Sequence, residues 1–244
     1  MRDPADDAGK TVQQQVSVAC RYLALEGFED LTLGHVSSRG EDDAIVHIKR
    51  KGPALGEVRE QDVLPLEWQD PQALHVPEMH LEAVLHTEVY RARPDVGAVI
   101  HAHPWYSTAL AGTSTPLEFV THDAVLFEAG LPVFDETSEM ITEPEQGKAV
   151  ATALGGARAL LLKNHGVLVA GEDLRWAVLT AVTLERAARM QFIAGQLGPL
   201  APIAEEMVPN VSRTKYQDRF LDEYWAYWRR QVERAEQMGR GPRA

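Results

Sequence analysis

The chain contains 244 residues, with 36 acidic and 24 basic side chains and a formal net charge of −12. Its hydrophobic fraction of 45% and charged fraction of 25% are ordinary for a globular protein, which excludes a disordered chain and suits one α/β domain. A chain this acidic would repel nucleic-acid phosphates, so DNA and RNA are excluded as partners.

Cysteine usage and hydropathy predict a cytoplasmic protein with no membrane contact. Cys20 is the only cysteine, which rules out an internal disulfide and the zinc motifs that need several cysteines. The opening stretch "MRDPADDAGK" lacks the apolar segment of an export signal, and no later run stays apolar long enough to cross a bilayer. We therefore expect a reducing, cytoplasmic setting.

Hydrophobic periodicity predicts a helix, a hairpin and a second helix in the first part of the chain. The stretch "TVQQQVSVACRYLALEG" has apolar residues at helical spacing and ends at Gly27. The stretches "LTLGHVSSR" and "DAIVHIKRKG" are β-branched and partly alternating, which predicts two neighbouring strands. Pro77 and Pro94 then bracket a predicted helix over residues 78–93.

The second part of the chain alternates strands and helices. We predict a buried strand in "VGAVIHAH", a short helix in "PWYSTALAG", irregular and strand-like structure over residues 119–135, and a helix in "EPEQGKAVATALGG". A pair of strands follows in "ARALLLKNHGVLVAGED", and Asp173 is the predicted N-cap of a long helix. The final aromatic stretch, residues 216–239, predicts a helix that packs on the body or on a neighbouring subunit.

The two histidines of "GAVIHAHPWYST" allow two interpretations. Side chains at i and i+2 of a strand point to the same face, so His101 and His103 could bind one metal ion side by side. Nine histidines make a chance His-x-His common, however, and a polar strand end is the alternative interpretation. The pattern alone leaves both interpretations open.

A metal site needs further ligands, and His165 is the best candidate because it follows another apolar run. In "NHG" it could equally be a turn residue, since Asn164 and Gly166 supply turn conformations. Three neutral imidazoles suit zinc, manganese, iron or cobalt. A carboxylate could come from Glu82, but on local grounds Glu78 and Glu88 have equal claims.

Taken together, these motifs resemble the class II aldolase/adducin family over roughly residues 12–197. The resemblance rests on the block "EAVLHTEVYRARPDVGAVIHAHPWYSTALA" and on "LLLKNHGVLVAGEDLRWA" downstream. The stretches "LTLGHVSSR" and "IKRKGPALGEVREQDVLPL" match the family's earlier strands.

The resemblance implies an α/β fold: a single three-layer αβα domain with a central, mostly antiparallel sheet. We expect this domain to span residues 11–238, between a disordered tail at 1–10 and a short tail at 239–244. Family members are usually cyclic tetramers, so we also expect a homotetramer with active sites between subunits.

The resemblance also implies a role for each candidate residue. His101, His103 and His165 correspond to the metal ligands of one divalent ion per subunit, which could be zinc, manganese, cobalt or iron. Glu82 corresponds to the acid/base, expected to have a raised pKa, and sometimes to the fourth ligand.

The sequence departs from the family where sugar-phosphate enzymes hold the phosphate with small hydroxyl and amide donors. Here these places contain Gly34–His35, Lys51–Gly52 and His80–Leu81. We therefore expect a smaller anion, a carboxylate, held by Lys51 or by a protonated His35 or His80.

With "GHVS" and "IKRKG" at these places, the chain resembles a branch of the family that contains metal-dependent decarboxylases of dihydroxylated aromatic acids, of the 3,4-dihydroxyphthalate type. For such a substrate, Lys49, Arg50 or Lys51 would position the carboxylate. Trp105 or Tyr106 would face the aromatic ring.

His122, with Asp123, is a candidate proton relay, and loop packing is the alternative role for the pair. Three other functions also remain open. They are an aldolase acting on a non-phosphorylated hydroxy-acid, keto-acid or sugar acid, a non-haem iron oxygenase, and a non-catalytic adducin-like domain.

Overall fold

A seven-stranded sheet forms the centre of the protein in a computed structural model that describes residues 10–239. The strand order is β3-β2-β1-β4-β7-β6-β5, and only the β5–β6 pair is parallel. The strands are β1 (His35–Arg39), β2 (Ile45–Lys49), β3 (Val63–Glu67), β4 (Ala98–Ala102), β5 (Val133–Phe134), β6 (Ala159–Leu162) and β7 (Gly166–Gly171). The predicted tails are residues 1–10 and 239–244. Of these, only residues 10 and 239 belong to the described part of the chain.

Helices cover both faces of this sheet. They are α1 (Val12–Leu25), α2 (Val84–Ala92), α3 (Trp105–Ala111), α4 (Pro144–Leu154), α5 (Leu174–Leu197), α6 (Val208–Lys215) and α7 (Leu221–Gln237). One apolar core contains buried side chains of α1, α5 and α7, and a second contains those of α2 and α4. The predicted three-layer αβα fold with a mostly antiparallel sheet is confirmed.

The strand β4 distributes its side chains between the two cores. Ala98, Ile100 and Ala102 belong to the core with α1 and α5, whereas Val99 belongs to the core with α2 and α4. Because successive strand side chains alternate between faces, His101 lies on the α2 side of the sheet.

Most of the predicted helix ends are confirmed. Thr11 caps α1 through a reciprocal bond with Gln14, and Gly27 follows the helix with a φ of 88°. Asp173 accepts the Trp176 N–H at the start of α5. The aromatic helix α7 packs on the body, where Trp228 stacks on Tyr22 of α1 with a ring separation of 5.3 Å.

The predicted helix over residues 78–93 is wrong at its beginning. Helical structure starts with a 3₁₀ turn at Leu81–Ala83 and becomes α-helical only at Val84. The preceding segment is held elsewhere, because the Glu78 carbonyl accepts the Lys51 N–H and Met79 is buried in the second core. Glu82 therefore lies at a kink, with φ −93° and ψ 17°, rather than inside a regular helix.

The sequence analysis missed β3 and α6. β3 contains Pro65, which argues against a central strand, but β3 forms an edge of the sheet and only its β2 side is paired. Further 3₁₀ turns occupy Leu55–Glu57, Glu60–Asp62, Pro71–His75, Ala124–Phe127, Glu205–Met207 and Asp218–Phe220. Within residues 10–239, no helix combines the length and the hydropathy needed to cross a membrane.

Candidate metal centre

Three histidines meet where β4 ends and β7 begins. One ring nitrogen each of His101, His103 and His165 lies within 4.8 Å of the other two. The Nε2 atoms of His101 and His103 are 3.2 Å apart, so the two imidazoles lie side by side, as the strand alternation predicts. We call these three residues the open histidines, because His103 and His165 are partly exposed.

In His101 and His103, the hydrogen bond at Nδ1 determines whether Nε2 carries a proton or a lone pair. The His101 Nδ1–H donates to the Val167 carbonyl at 3.0 Å, and the His103 Nδ1–H donates to Asp30 Oδ2 at 3.0 Å. In a neutral imidazole this leaves a bare lone pair on each Nε2. Burial lowers the pKa of His103 to about 4, so a second proton on that ring is disfavoured at neutral pH.

This donor set fits a divalent metal ion. Two lone pairs facing each other repel, and a shared cation removes that repulsion. Nitrogen ligands bound to zinc at about 2.0–2.1 Å lie roughly 3 Å apart when they take adjacent positions. The separation of 3.2 Å matches this spacing. His101, His103 and His165 are the residues that would hold the ion.

Glu82 supplies the carboxylate of the centre. Its Oε2 lies 3.5 Å from His101 Nε2 and 3.6 Å from His165 Nε2, while Oε1 accepts the Ile141 N–H. The two competing glutamates lie elsewhere, since Glu78 is exposed and Glu88 pairs with Arg91.

The expected raised pKa of Glu82 is wrong in this structure. Burial alone would raise the pKa of the carboxyl group, but the neighbouring His101 and His165 rings and the hydrogen bond from the Ile141 N–H outweigh burial and lower it. A carboxylate in this position is ionised and suited to accept a proton or to approach a cation.

Asp30 is a part of the centre that the sequence analysis missed. Its carboxylate fixes the tautomer of His103, an arrangement that often supports histidine ligands in metal sites. Leu31, the next residue, has a φ of 51°, which is uncommon for a leucine. The sequence of this loop carries no motif that would have singled out Asp30.

His165 lies in the turn between β6 and β7, as the turn interpretation of "NHG" predicts. Asn164 has a φ of 58°, the left-handed conformation that asparagine tolerates in turns. A Cβ on Gly166 would lie 2.5 Å from His103 Cδ2, so any larger residue at this position would clash with the His103 ring. The turn thus presents His165 to the other two open histidines.

A second group, His35, His80 and His86, lies behind the open histidines and is buried. His35 is the register partner of His101 on the neighbouring strand, and its ring lies 5.1 Å from that of His101. We call this group the buried histidines. Burial, together with neighbouring positive charges, lowers the pKa of each ring, that of His80 to about 3. The expected protonated His35 or His80 is therefore not favoured.

The three consecutive basic residues at the end of β2, Lys49, Arg50 and Lys51, lie in three different environments. Lys49 is 0% exposed and donates to the Thr32 and Arg50 carbonyls and to His80 Nε2. Arg50 pairs with Asp62. The side chain of Lys51 is exposed, and of the three it is the one most open to an incoming anion.

The two aromatic residues after His103 lie together at a surface cleft. Trp105 is 80% exposed and, with Tyr106, lines a cleft of about 350 Å³ whose other side includes Phe28. The Tyr106 ring also packs against Phe192 of α5, 5.8 Å away. Trp105 is thus the more available of the two for contact with another molecule.

His122 is not brought to the histidine cluster within one subunit. Its side chain is exposed, and its backbone carbonyl accepts the Tyr216 hydroxyl. The neighbouring Asp123 pairs with Lys215 and Arg186. These contacts favour the loop-packing alternative for the pair over a proton relay inside one subunit.

Comparison with known proteins establishes the family. The family model for the class II aldolase and adducin N-terminal domain matches residues 14–192, and the chain belongs to this family. L-fuculose 1-phosphate aldolase from Glaciozyma antarctica PI12 has the same fold. That match has a TM-score of 0.79 at 22% identity and covers 96% of this chain and 92% of that one.

Two curated relatives carry different enzymatic names. The 3,4-dihydroxyphthalate decarboxylase of Rhodococcus jostii (strain RHA1) is 30% identical over 198 residues, covering 75% of this chain and 80% of the relative. The 4-hydroxy-3-prenylphenylpyruvate oxygenase/4-hydroxy-3-prenylbenzoate synthase of Streptomyces roseochromogenus subsp. oscitans is 37% identical over 123 residues. That alignment covers 50% of this chain and 44% of the relative, so the match spans less than half of that protein.

Proposed function

We propose that the protein is a divalent-metal-dependent carbon–carbon lyase that decarboxylates a dihydroxylated aromatic acid of the 3,4-dihydroxyphthalate type. The observation that carries this proposal is the set of open histidines with Glu82 beside them, in which the bare Nε2 atoms of His101 and His103 lie 3.2 Å apart. The name of the Rhodococcus relative supports the choice of substrate class.

The chemistry requires a place for the electron pair released with CO₂. A divalent ion bound by the open histidines would act as a Lewis acid and stabilise negative charge on two vicinal ring oxygens. Glu82 Oε2, ionised and adjacent to His101 and His165, takes the proton of a ring hydroxyl as the substrate binds. When the C–C bond breaks, its electrons enter the ring and Glu82 returns the proton to the ring carbon.

The remaining contacts in this proposal are assigned to residues that the sequence analysis singled out. Lys51 has an exposed ammonium group for a substrate carboxylate, and Trp105 and Tyr106 provide aromatic surface for the ring. His80 contributes by packing on His35, at a ring separation of 4.5 Å, and not as a cation. His122 would act only on the site of a neighbouring copy.

We further propose a homo-oligomer, a tetramer as in the family, in which a second copy closes each site. Apolar side chains near α3 and along α5 support this arrangement, because Trp105, Phe192 and Leu197 are 80%, 56% and 86% exposed. Exposed apolar surface of this kind marks interaction sites.

The decisive experiment compares the products from two substrate classes. Protein loaded with Mn²⁺, Co²⁺ or Zn²⁺ is incubated with 3,4-dihydroxyphthalate and, separately, with non-phosphorylated hydroxy-keto acids, and CO₂ and aldehyde are both measured. We expect CO₂ from the aromatic acid. Aldehyde without CO₂ would replace the decarboxylase proposal with the aldolase alternative.

An oxygenase is the second candidate, and the name of the Streptomyces relative favours it. Three histidine ligands leave coordination positions open on an iron ion, to which dioxygen could bind. Oxygen uptake by the Fe²⁺-loaded protein during turnover, absent with Zn²⁺, would favour this candidate over the decarboxylase.

A further inference from the structure

A buried chain of hydrogen bonds leads away from the candidate metal centre into the α2 core. His35 Nδ1 lies 2.6 Å from His86 Nε2, and His86 Nδ1 lies 2.6 Å from Ser37 Oγ. Ser37 Oγ in turn lies 2.8 Å from the Tyr90 hydroxyl. None of these four side chains is more than 3% exposed. We call the group His86, Ser37 and Tyr90 the buried relay of His35.

Local geometry assembles this group from two elements. His35 and Ser37 are two residues apart on β1, and His86 and Tyr90 are four residues apart on α2, so each pair lies on one face of its element. The contact between the two faces excludes water, so each ring nitrogen must find its partner within the protein.

Two continuous directions of donation run through the relay. In the first, Tyr90 donates to Ser37, Ser37 donates to His86 Nδ1, and His86 Nε2–H donates to His35 Nδ1. His35 then carries its proton on Nε2. In the opposite direction, His35 donates from Nδ1 and its Nε2 is a bare lone pair.

The Glu82 carboxylate selects between the two directions. A ring nitrogen of His35 forms a cluster with Glu82 and His101 in which all three polar atoms lie within 4.8 Å of one another. Because His35 Nδ1 is occupied by His86, we assign the contact with this cluster to Nε2. An N–H directed at a carboxylate is attractive and a lone pair is repulsive, so the direction that protonates Nε2 is favoured.

We propose that His35 is a neutral hydrogen-bond donor whose Nε2–H binds a carboxylate oxygen of the metal-bound aromatic substrate, and that the buried relay holds it in this tautomer. Under this proposal His35 contacts the substrate, while His86, Ser37 and Tyr90 are positioning residues. The carboxylate contact rests on the proposed function, whereas the tautomer depends only on the protein.

A spectroscopic measurement tests the tautomer without substrate or metal. Histidine-labelled protein, metal-free at pH 8, is examined by ¹⁵N NMR, and the His35 and His86 signals are assigned from His35→Gln and His86→Gln. We expect both rings to be protonated at Nε2 and bare at Nδ1. A His35 ring protonated at Nδ1 would overturn the proposal.

A pair of serine variants separates the relay from general packing. Ser37→Ala removes the link between Tyr90 and His86, whereas Ser38→Ala, the next residue of β1, removes a hydroxyl that bonds only to the Arg39 and Gly97 carbonyls. We expect Ser37→Ala to convert the His86 and His35 signals to tautomer mixtures and Ser38→Ala to leave them unchanged. Equal spectra for wild type and Ser37→Ala would refute a positioning role.

Two ligands that differ by one carboxylate test the contact itself. Dissociation constants of 3,4-dihydroxybenzoate and catechol are measured on the Zn²⁺-loaded wild type and on Zn²⁺-loaded His35→Phe and His35→Gln, after metal content is verified. Loss of one hydrogen bond to a charged group should weaken 3,4-dihydroxybenzoate about tenfold in His35→Phe, with catechol unchanged. His35→Gln, which retains an N–H donor, should recover part of that loss.

The outcomes distinguish this inference from the proposed function. Equal weakening of both ligands in His35→Phe would overturn the carboxylate contact while leaving aromatic diol binding intact. If neither ligand binds the wild type, the proposed substrate class fails and the carboxylate contact fails with it, whereas the NMR result still decides the tautomer.

Discussion

The open and buried histidines lie in adjacent layers of one cluster, yet their surroundings give them opposite properties. His101 and His103 each donate one N–H to an oxygen acceptor and leave the other nitrogen bare. His35 and His86 instead bond to each other, and His86 bonds to the Ser37 hydroxyl. The role of a histidine is thus decided by the partner of its second nitrogen.

The first prediction is the strongest test of this contrast, because it removes a bare nitrogen. His103→Ala should lower the bound metal from one ion per subunit towards none and abolish turnover, since two imidazoles hold a divalent ion poorly. Metal content by mass spectrometry checks this result. His75→Ala, which removes an exposed histidine on a 3₁₀ turn, should retain both metal and turnover. Full metal occupancy in His103→Ala would show that the open histidines are not the ligands.

The second prediction separates proton transfer from metal binding. Glu82→Gln removes the only carboxylate within 4 Å of His101 and His165 among the described residues and keeps the shape of the side chain. Turnover should fall about 10²–10⁴-fold, the usual contribution of a positioned acid/base, while the three imidazoles retain the metal. Glu78→Gln, on an exposed residue in the preceding segment, is the matched control. Unchanged turnover in Glu82→Gln would exclude the acid/base role.

The third prediction concerns the cation behind the buried histidines. Burial lowers the pKa of Lys49 to about 8, whereas an unfolded lysine titrates near 10.4. Between these values the unfolded state binds a proton that the folded state does not, so this residue makes stability rise with pH. Relative to Lys49→Met, the wild type should gain about 3 kcal/mol of unfolding free energy between pH 7 and 11.

Urea unfolding of both proteins across that pH range measures the gain. Because other groups titrate in the same range, only the difference between the two proteins is informative. Lys51→Met, on an exposed lysine two residues further along the chain, is the matched control variant. If the difference in unfolding free energy between wild type and Lys49→Met does not change with pH, the pKa of Lys49 is not lowered in the folded protein.

The fourth and smallest effect concerns the carboxylate that supports His103. Asp30→Asn keeps the side-chain shape but removes the charge that fixes the His103 tautomer, so metal affinity should fall about 10–100-fold. Competition with a chelator measures this change, with Asp43→Asn, on an exposed residue of the β1–β2 turn, as the control. Equal affinity in Asp30→Asn and wild type would mean that Asp30 does not tune the centre.

Local rules predicted much of the candidate site. Alternation along a strand placed the rings of His101 and His103 side by side, and turn chemistry predicted the bend at Asn164 and Gly166. Local rules could not choose among Glu78, Glu82 and Glu88, because all three are plausible surface carboxylates. The family resemblance selected Glu82, and the structure places only Glu82 beside the histidines.

The errors arise where distant segments meet. The helix over residues 78–93 was predicted too long, because its first turn is held by the backbone at Lys51 instead of continuing the helical pattern. The expected anion binding by a protonated His35 or His80 assumed charged rings, whereas burial lowers the pKa of both and disfavours the charged form.

The sequence by itself determined the family and the mostly antiparallel three-layer fold, and it singled out His101, His103 and His165 as candidate ligands, because motifs and strand alternation are properties of short segments. Only the tertiary structure decided that Asp30 supports His103, 73 residues away, and that Lys49 is buried while Lys51 is exposed. The physical reason is that i and i+2 relations follow from backbone geometry, whereas the partner of a second ring nitrogen depends on the path of the whole chain.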